Sequence, residues 1–322
     1  MIYTIKKYHT GLKADWDDLI KRSSNGTFLH QRDYMDYHAD RFDDFSLMIY
    51  EDLKLRAVLP AHRVGNEIFS HKGLTYSNFI FQKKLKLERK IAIISYVLAY
   101  LSKRHINFLN IHAIPFVFQP VTDESCAYIY HKTGAEITQI KPFFIIDQRN
   151  NMLPNQNRRK NYKKLLKLDY QINDDIDKLP EFWQIVEKNL QQRYETTPVH
   201  TLQEITTLTQ RFPKQIKLFT VNQNTQILAG ALVYFINQAA HFQYIHAINT
   251  PESRQAVEFL TYELVKQFNQ YAYISFGTSA VLHNNLNKNL VYWKESFGCQ
   301  LVNQLFFKID CRNYDRLKNI LQ

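Results

Sequence analysis

Tyr244 and His246 stand two residues apart in the run AAHFQYIHA, residues 239–247, which reads as a strand. Side chains two apart on a strand share a face, so Tyr244 and His246 point one way and Gln243 and Ile245 the other. A phenol beside an imidazole can give one proton and take another, which is general acid–base chemistry. The same two side chains in a core would make only structural hydrogen bonds.

Other residues suit the same kind of work. Ser275-Phe276-Gly277-Thr278-Ser279 ends a later strand in a glycine turn, where amides and hydroxyls can orient a substrate. Asn284-Asn285-Leu286-Asn287-Lys288 opens a helix. Asn285 and Lys288 there make an anion-favouring end, unless Asn285 or Asn287 simply caps the helix. Lys294 can neutralise a phosphate or carboxylate, or stand solvated. His200, between Pro198-Val199 and a helix, is a further cleft candidate.

The clearest physical signal is a basic helix. Arg158, Arg159, Lys160, Lys163, Lys164 and Lys167 occur with no acid among them. Lys160, Lys163, Lys164 and Lys167 fall at i, i+3, i+4 and i+7 and share one side, with Tyr162, Leu165 and Leu166 expected behind them. Such a stripe can hold phosphates of a tRNA, of a carrier or of a nucleotide sugar, or rest on an anionic membrane; it can also be merely solvated.

These residues need elements to position them. The chain has 322 residues, a formal charge of +11 and a 45% apolar fraction, enough for about two ordinary domains. A strand at Ile2–Lys6, a helix at Lys13–Arg22, a helix over TFLHQRDYMDYHADRF, strands Ser46–Glu51 and Leu55–Val64, a helix at Lys86–Lys103, a strand at Asn107–His112, a short helix near Asp123–Lys132 and a strand at Ile137–Ile146 make the first half. Asn150–Asn157 (NNMLPNQN) reads as a linker, dividing the chain into 1–150 and 151–322. The second half gives helices at Arg158–Leu168, Leu179–Gln192 and Leu202–Arg211, then strands Lys217–Val221, Gln226–Phe235 and Ala239–Ala247. A helix at Glu252–Asn269, a strand at Tyr273–Phe276, a helix at Lys288–Ser296 and a strand at Gln300–Ile309 close it. The fold class is α/β, mixed α+β, with the last strand able to pack back on the first domain.

No signal-peptide pattern opens the sequence and no apolar run is long enough to span a membrane. Cys126, Cys299 and Cys311 are scattered, so disulfides and a zinc site are not expected and a reducing cytoplasm fits. The 12 histidines are dispersed, and His241 and His246 lack an evident third metal ligand. Neither GxSxG nor HExxH occurs.

The segments PVHTLQEITTLTQRFPKQIKLFTV (198–221), ILAGALVYF (227–235), HFQYIHA (241–247) and YISFGTSAVLHNNLNKNLVYWKESFG (273–298) resemble the GNAT acyltransferase fold, and within it the Fem-type branch with two such domains in tandem. In the first half only TFLHQRDYMDY resembles the partner domain. The resemblance implies a cytoplasmic N-acyl or aminoacyl transferase acting on an amine of a cell-envelope or polysaccharide precursor such as a sugar nucleotide. The donor would be an acyl-CoA, an acyl carrier protein or an aminoacyl-tRNA. Attack would be direct, with Tyr244, His246 and Ser275 catalytic, His200, Gln243, Asn285, Lys288 and Lys294 on substrate, and Lys160, Lys163, Lys164 and Lys167 on donor phosphates. Two departures stand out. Ser275 occupies a position where the family has an acid, and INTPES (248–253) lacks the glycine loop that holds the pyrophosphate of CoA. The first departure fits an alternative, a non-catalytic tRNA-binding module on a degenerate transferase fold. A third reading is an acyltransferase working at a membrane surface on lipids.

Overall fold

The computed structural model describes residues 2–150, 153–223, 226–279 and 285–321. Asn151 and Met152 of the linker reading, and Asn284, lie outside the described residues. Two compact units account for the chain, 1–141 with 303–322, and 142–302. Both boundaries fall inside strands, whereas the polar stretch at 150–157 leads into a helix that Asn155 caps by accepting from the Arg158 amide.

The first unit contains β1 (Tyr3–Lys7), α1 (Lys13–Lys21), α2 (Arg32–Met35), β2 (Asp43–Asp44), β3 (Leu47–Glu51), β4 (Lys54–Leu59), β5 (His62–Val64), β6 (Glu67–Phe69), β7 (Ile80–Phe81), α3 (Leu87–Ser102), β8 (Phe108–His112), α4 (Ser125–Thr133) and the start of β9 (Glu136–Asp147). One sheet runs β1-β3-β4-β7, all antiparallel. In a second, β8 pairs in parallel with β6, and β6, β5 and β2 follow antiparallel. The apolar face of α3 (Ile93, Ile94, Val97, Leu101) closes over Leu47, Ile49, Leu59 and Leu109.

Two expectations are corrected here. TFLHQRDYMDYHADRF is not one helix: a 3-10 turn at Phe28–His30, the single turn of α2 and a further 3-10 stretch replace it, and His38 leaves helical geometry at φ −131°, ψ 32°. Buried Arg32 sets this path, its guanidinium bridging Asp36 and Asp44 at 2.5 Å each. Leu55–Val64 is two strands, because Pro60 has no N–H to give a ladder.

Buried imidazoles should make this unit acid-sensitive. Burial pushes His30 and His71 down to about 3, and His62 and His112 down to about 4, with Lys72 adding to the last two. His62 and His71 lie 5.6 Å apart in one aromatic cluster with Phe42. An unfolded histidine titrates near pH 6.5. Between that value and about 4 the unfolded chain holds more protons, so stability is lost as the pH falls through this window. Thermal melts at about pH 7.5 and about pH 5 should show a lower midpoint at the acid end, and equal midpoints would refute the assignment.

The second unit contains the end of β9, α5 (Gln156–Leu165), β10 (Ile172–Asp174), α6 (Leu179–Tyr194), α7 (Leu202–Arg211), β11 (Ile216–Gln223), β12 (Gln226–Ile236), β13 (Ala239–Ala247), α8 (Pro251–Gln267), β14 (Tyr273–Ser275), α9 (Lys288–Ser296) and the start of β15 (Gln300–Asp310), whose later residues pair with β8 in the first unit. The sheet order is β10-β11-β12-β13-β14-β9, antiparallel except for the β13–β14 pair. α8 buries Ala256, Phe259, Leu260 and Leu264 against one face of this sheet. α6 covers β12 and β13 with Phe182 and Trp183 fully buried. The class is mixed α/β, as the sequence implied.

Candidate functional site

The cleft of the second unit begins where a strand pair ends. β13 and β14 pair in parallel only at Ala239, Ala240 and His241 against Tyr273, Ile274 and Ser275. Beyond this, β13 continues along β12, while the other chain turns at Gly277 with φ +62°. Glycine adopts that conformation without strain. The C-terminal end of parallel strands is where open α/β sheets present ligand sites. A cleft of about 830 Å³ lies here, lined by Phe242 to His246, by Phe276 and Thr278, by Leu190 and Arg193 of α6, and by Leu290, Trp293 and Lys294 of α9.

A bulge aims the β13 side chains. Leu232 pairs with Tyr244 but Val233 with Phe242, so Gln243 is an extra residue in the ladder. Strict alternation therefore fails at Gln243, which corrects its expected pairing with Ile245 on one face. Phe242 and Ile245, three residues apart, pack on the same core. Phe242 stacks on Phe276 at 4.9 Å.

Tyr244 is buried against Trp183, ring centroids 5.0 Å apart, and its hydroxyl meets His200 Nδ1 at 2.9 Å. Burial pushes the Tyr244 phenol up to about 12, so it keeps its proton near neutrality. Burial, with nearby Arg193, pushes His246 down to about 4, leaving a neutral imidazole able to accept a proton. The two rings lie 6.5 Å apart at the cleft.

Lys294, expected either on substrate or solvated, is neither exposed nor, among the described residues, ion-paired. It is only 3% exposed, and its Nζ donates to Gly277 O at 3.1 Å and Thr278 O at 2.7 Å, above the Phe144 ring. Both hydrogen-bond partners are neutral carbonyls, and burial pushes this ammonium down to about 7. An ammonium has three protons, of which the two carbonyls take two, and Lys294 lines the cleft.

The remaining expected residues separate. Ser275 is fully buried and faces His241 Nδ1 at 3.0 Å, away from the cleft lining. Asn287 caps α9, accepting from the Leu290 amide at 3.0 Å, while Asn285 and Lys288 are exposed. Lys160, Lys163 and Lys164 are exposed on α5 and Lys167 in the turn after it, and none lines the cleft. Tyr162 and Leu165 are buried behind them, but Leu166 is 55% exposed, against expectation, because α5 ends at Leu165. Sequence reading missed Arg193, Leu190 and Trp293. The first two come from α6, and no local pattern says where a helix end will dock. Trp293 sits beside Lys294 in α9 and was legible only as an apolar residue.

The INTPES turn is closed on itself. Thr250 and Ser253 form a reciprocal capping box, each side chain accepting from the other's amide at 3.2 Å and 3.1 Å. Pro251 gives no N–H, and Glu252 places an acid in the first turn. A coenzyme A pyrophosphate held at the start of α8 needs free amides and no carboxylate. The residues there do not fit it.

No family model matches the chain, and no curated protein matches it. Solved structures do. FemX aligns over 99% of this chain and 100% of its own at 11% identity and TM-score 0.68. L-PGS from Bacillus licheniformis aligns over 95% and 93% at 10% identity and TM-score 0.58. The chain has the Fem-type, GNAT-like fold. A tandem GNAT protein from the clavulanic acid biosynthesis pathway also aligns, over 96% and 99% at 7% identity and TM-score 0.50. In this chain the cleft lies at the opened β13–β14 pair, and the start of α8 is closed by the Thr250–Ser253 cap.

Proposed function

We propose that this cleft transfers an acyl or aminoacyl group from a thioester or ester carrier onto an amine by direct attack. The observation that carries the reading is Lys294, a buried ammonium held by two carbonyls at the cleft wall. A preorganised donor of this kind stabilises the oxyanion of a tetrahedral intermediate. The amine nitrogen bonds to the acyl carbon and gives its proton to the neutral His246 ring. The carrier oxygen or sulfur then leaves with a proton from Tyr244, whose hydroxyl His200 positions, and the His246 proton passes to Tyr244 by way of solvent, which restores both groups. The Fem-type fold supports transferase chemistry, and the charge of +11 supports an anionic partner such as an amino-sugar nucleotide acceptor or a donor on an acyl carrier protein or tRNA. The capped start of α8 supports a donor other than one gripped by its pyrophosphate there.

The test is transfer itself. The purified chain is offered acetyl-CoA, loaded acyl carrier protein and aminoacyl-tRNA with simple and sugar-nucleotide amines, and acceptor mass is followed. New acylated amine from a carrier donor is expected. Salt-sensitive tRNA binding with no product from any donor would replace this reading with the non-catalytic nucleic-acid module. The pH profile adds a second check. Activity should fall above about pH 7 as Lys294 loses its proton, and below about pH 4 as His246 gains one. Lys294→Arg, which stays charged, should move the alkaline fall upward; an unmoved fall would exclude Lys294 as the titrating group.

A further inference from the structure

The basic stripe on α5 is separate from the cleft, and its surroundings are not those of a simple solvated face. Arg159, Lys163 and Leu166 follow one another at helical spacing along the rim of a groove of about 520 Å³. The groove floor is apolar: Tyr162 and Tyr262 stack at 3.8 Å, with Val265 and Phe297 beside them. Lys266 also lines the groove, its Nζ donating to the Tyr162 hydroxyl at 3.0 Å and lying 3.3 Å from Glu263. Lys160, Lys164 and Lys167 form the next stripe, exposed. Leucines lie among these cations in the open, Leu153 at 67%, Leu166 at 55% and Leu168 at 40% exposure. Arg158 takes no part, being tied to Glu258 at 2.6 Å and to Ser296.

We infer that this face docks the protein onto a phospholipid bilayer with anionic headgroups. The lysines would meet the headgroups and the leucines would enter the acyl boundary, with the groove open to an acyl chain. Charge alone would suit a nucleic acid equally well. The leucines decide between them: the exposed side chains are aliphatic and give a base no stacking platform, whereas an interface buries them, and the groove tyrosines Tyr162 and Tyr262 are already stacked on each other.

The experiment is cosedimentation of the full chain with vesicles of phosphatidylcholine alone and of phosphatidylcholine with phosphatidylglycerol, at low and high salt, with bulk tRNA as competitor. Binding to the anionic vesicles only is expected, weakened by salt. Leu153→Asp with Leu166→Asp should reduce it by at least about ten-fold at an unchanged melting midpoint, and Lys160→Glu with Lys164→Glu should do the same. Leu166→Trp supplies a second readout, its fluorescence shifting to the blue as the ring enters the bilayer. Vesicle binding that ignores the leucine substitutions would overturn the inference, as would tRNA binding through these lysines with no vesicle binding.

Discussion

Lys294→Met is expected to lower kcat roughly 10²- to 10³-fold, the usual cost of removing one preorganised oxyanion donor. Methionine keeps most of the apolar stem of lysine but loses the Nζ that lies over the Phe144 ring. The carbonyls of Gly277 and Thr278 lose a donor, which destabilises, while removal of a desolvated ammonium stabilises. These effects oppose one another, so the melting midpoint should move little while turnover collapses. The measurement is kcat at saturating donor beside a thermal melt of the same preparation. A folded variant turning over within about three-fold of the parent would remove Lys294 from the chemistry.

Gly230→Val is expected to destabilise the second unit by roughly 2–3 kcal/mol, the scale of overpacking a closed core. Gly230 lies within β12, opposite Thr220 on one side and His246 on the other. A Cβ there would stand 2.5 Å from the Phe182 ring. Phe182 is fully buried on α6 and has no open space to swing into. Valine favours strands, but that preference spans at most about 1 kcal/mol and does not offset the clash. The displaced helix also carries Leu190 and Arg193 of the cleft and Asn189, whose amide donates to Ala247 O at 2.8 Å. Catalysis should therefore suffer along with stability. Denaturant melts check the effect, and Phe182→Leu in the Gly230→Val background should recover part of it. A parental midpoint for Gly230→Val would show that α6 is not held by this contact.

How much of this was legible depended on whether each element's cause is local. The β13, α7 and α9 spans coincide with their sequence readings because the aromatic and β-branched run of β13, the Thr201–Glu204 capping box and the Asn287 cap are written in neighbouring residues. The stretch around Arg32 was misread because its path is fixed by Asp44, twelve residues away. Ser275 was placed correctly on its strand, but which neighbour its hydroxyl meets is a tertiary fact. The burial of Lys294 left a faint trace. Leu290, Lys294 and Phe297 recur at helical spacing, so a lysine interrupts an apolar stripe; Lys294 was reached by family resemblance, and that conflict between charge and periodicity was left unused.

The extra residue at Gln243 acts on β13 as a frameshift acts on a message. Upstream of it even-numbered positions such as Ala240 and Phe242 serve the core, and downstream odd-numbered ones such as Ile245 and Ala247 do. That single insertion takes Tyr244 and His246 off the face that packs on this core. A distant chain with the same cleft would then be recognised less by shared residues than by a strand whose core-facing positions skip three once, the spacing of Phe242 and Ile245, between two runs that skip two.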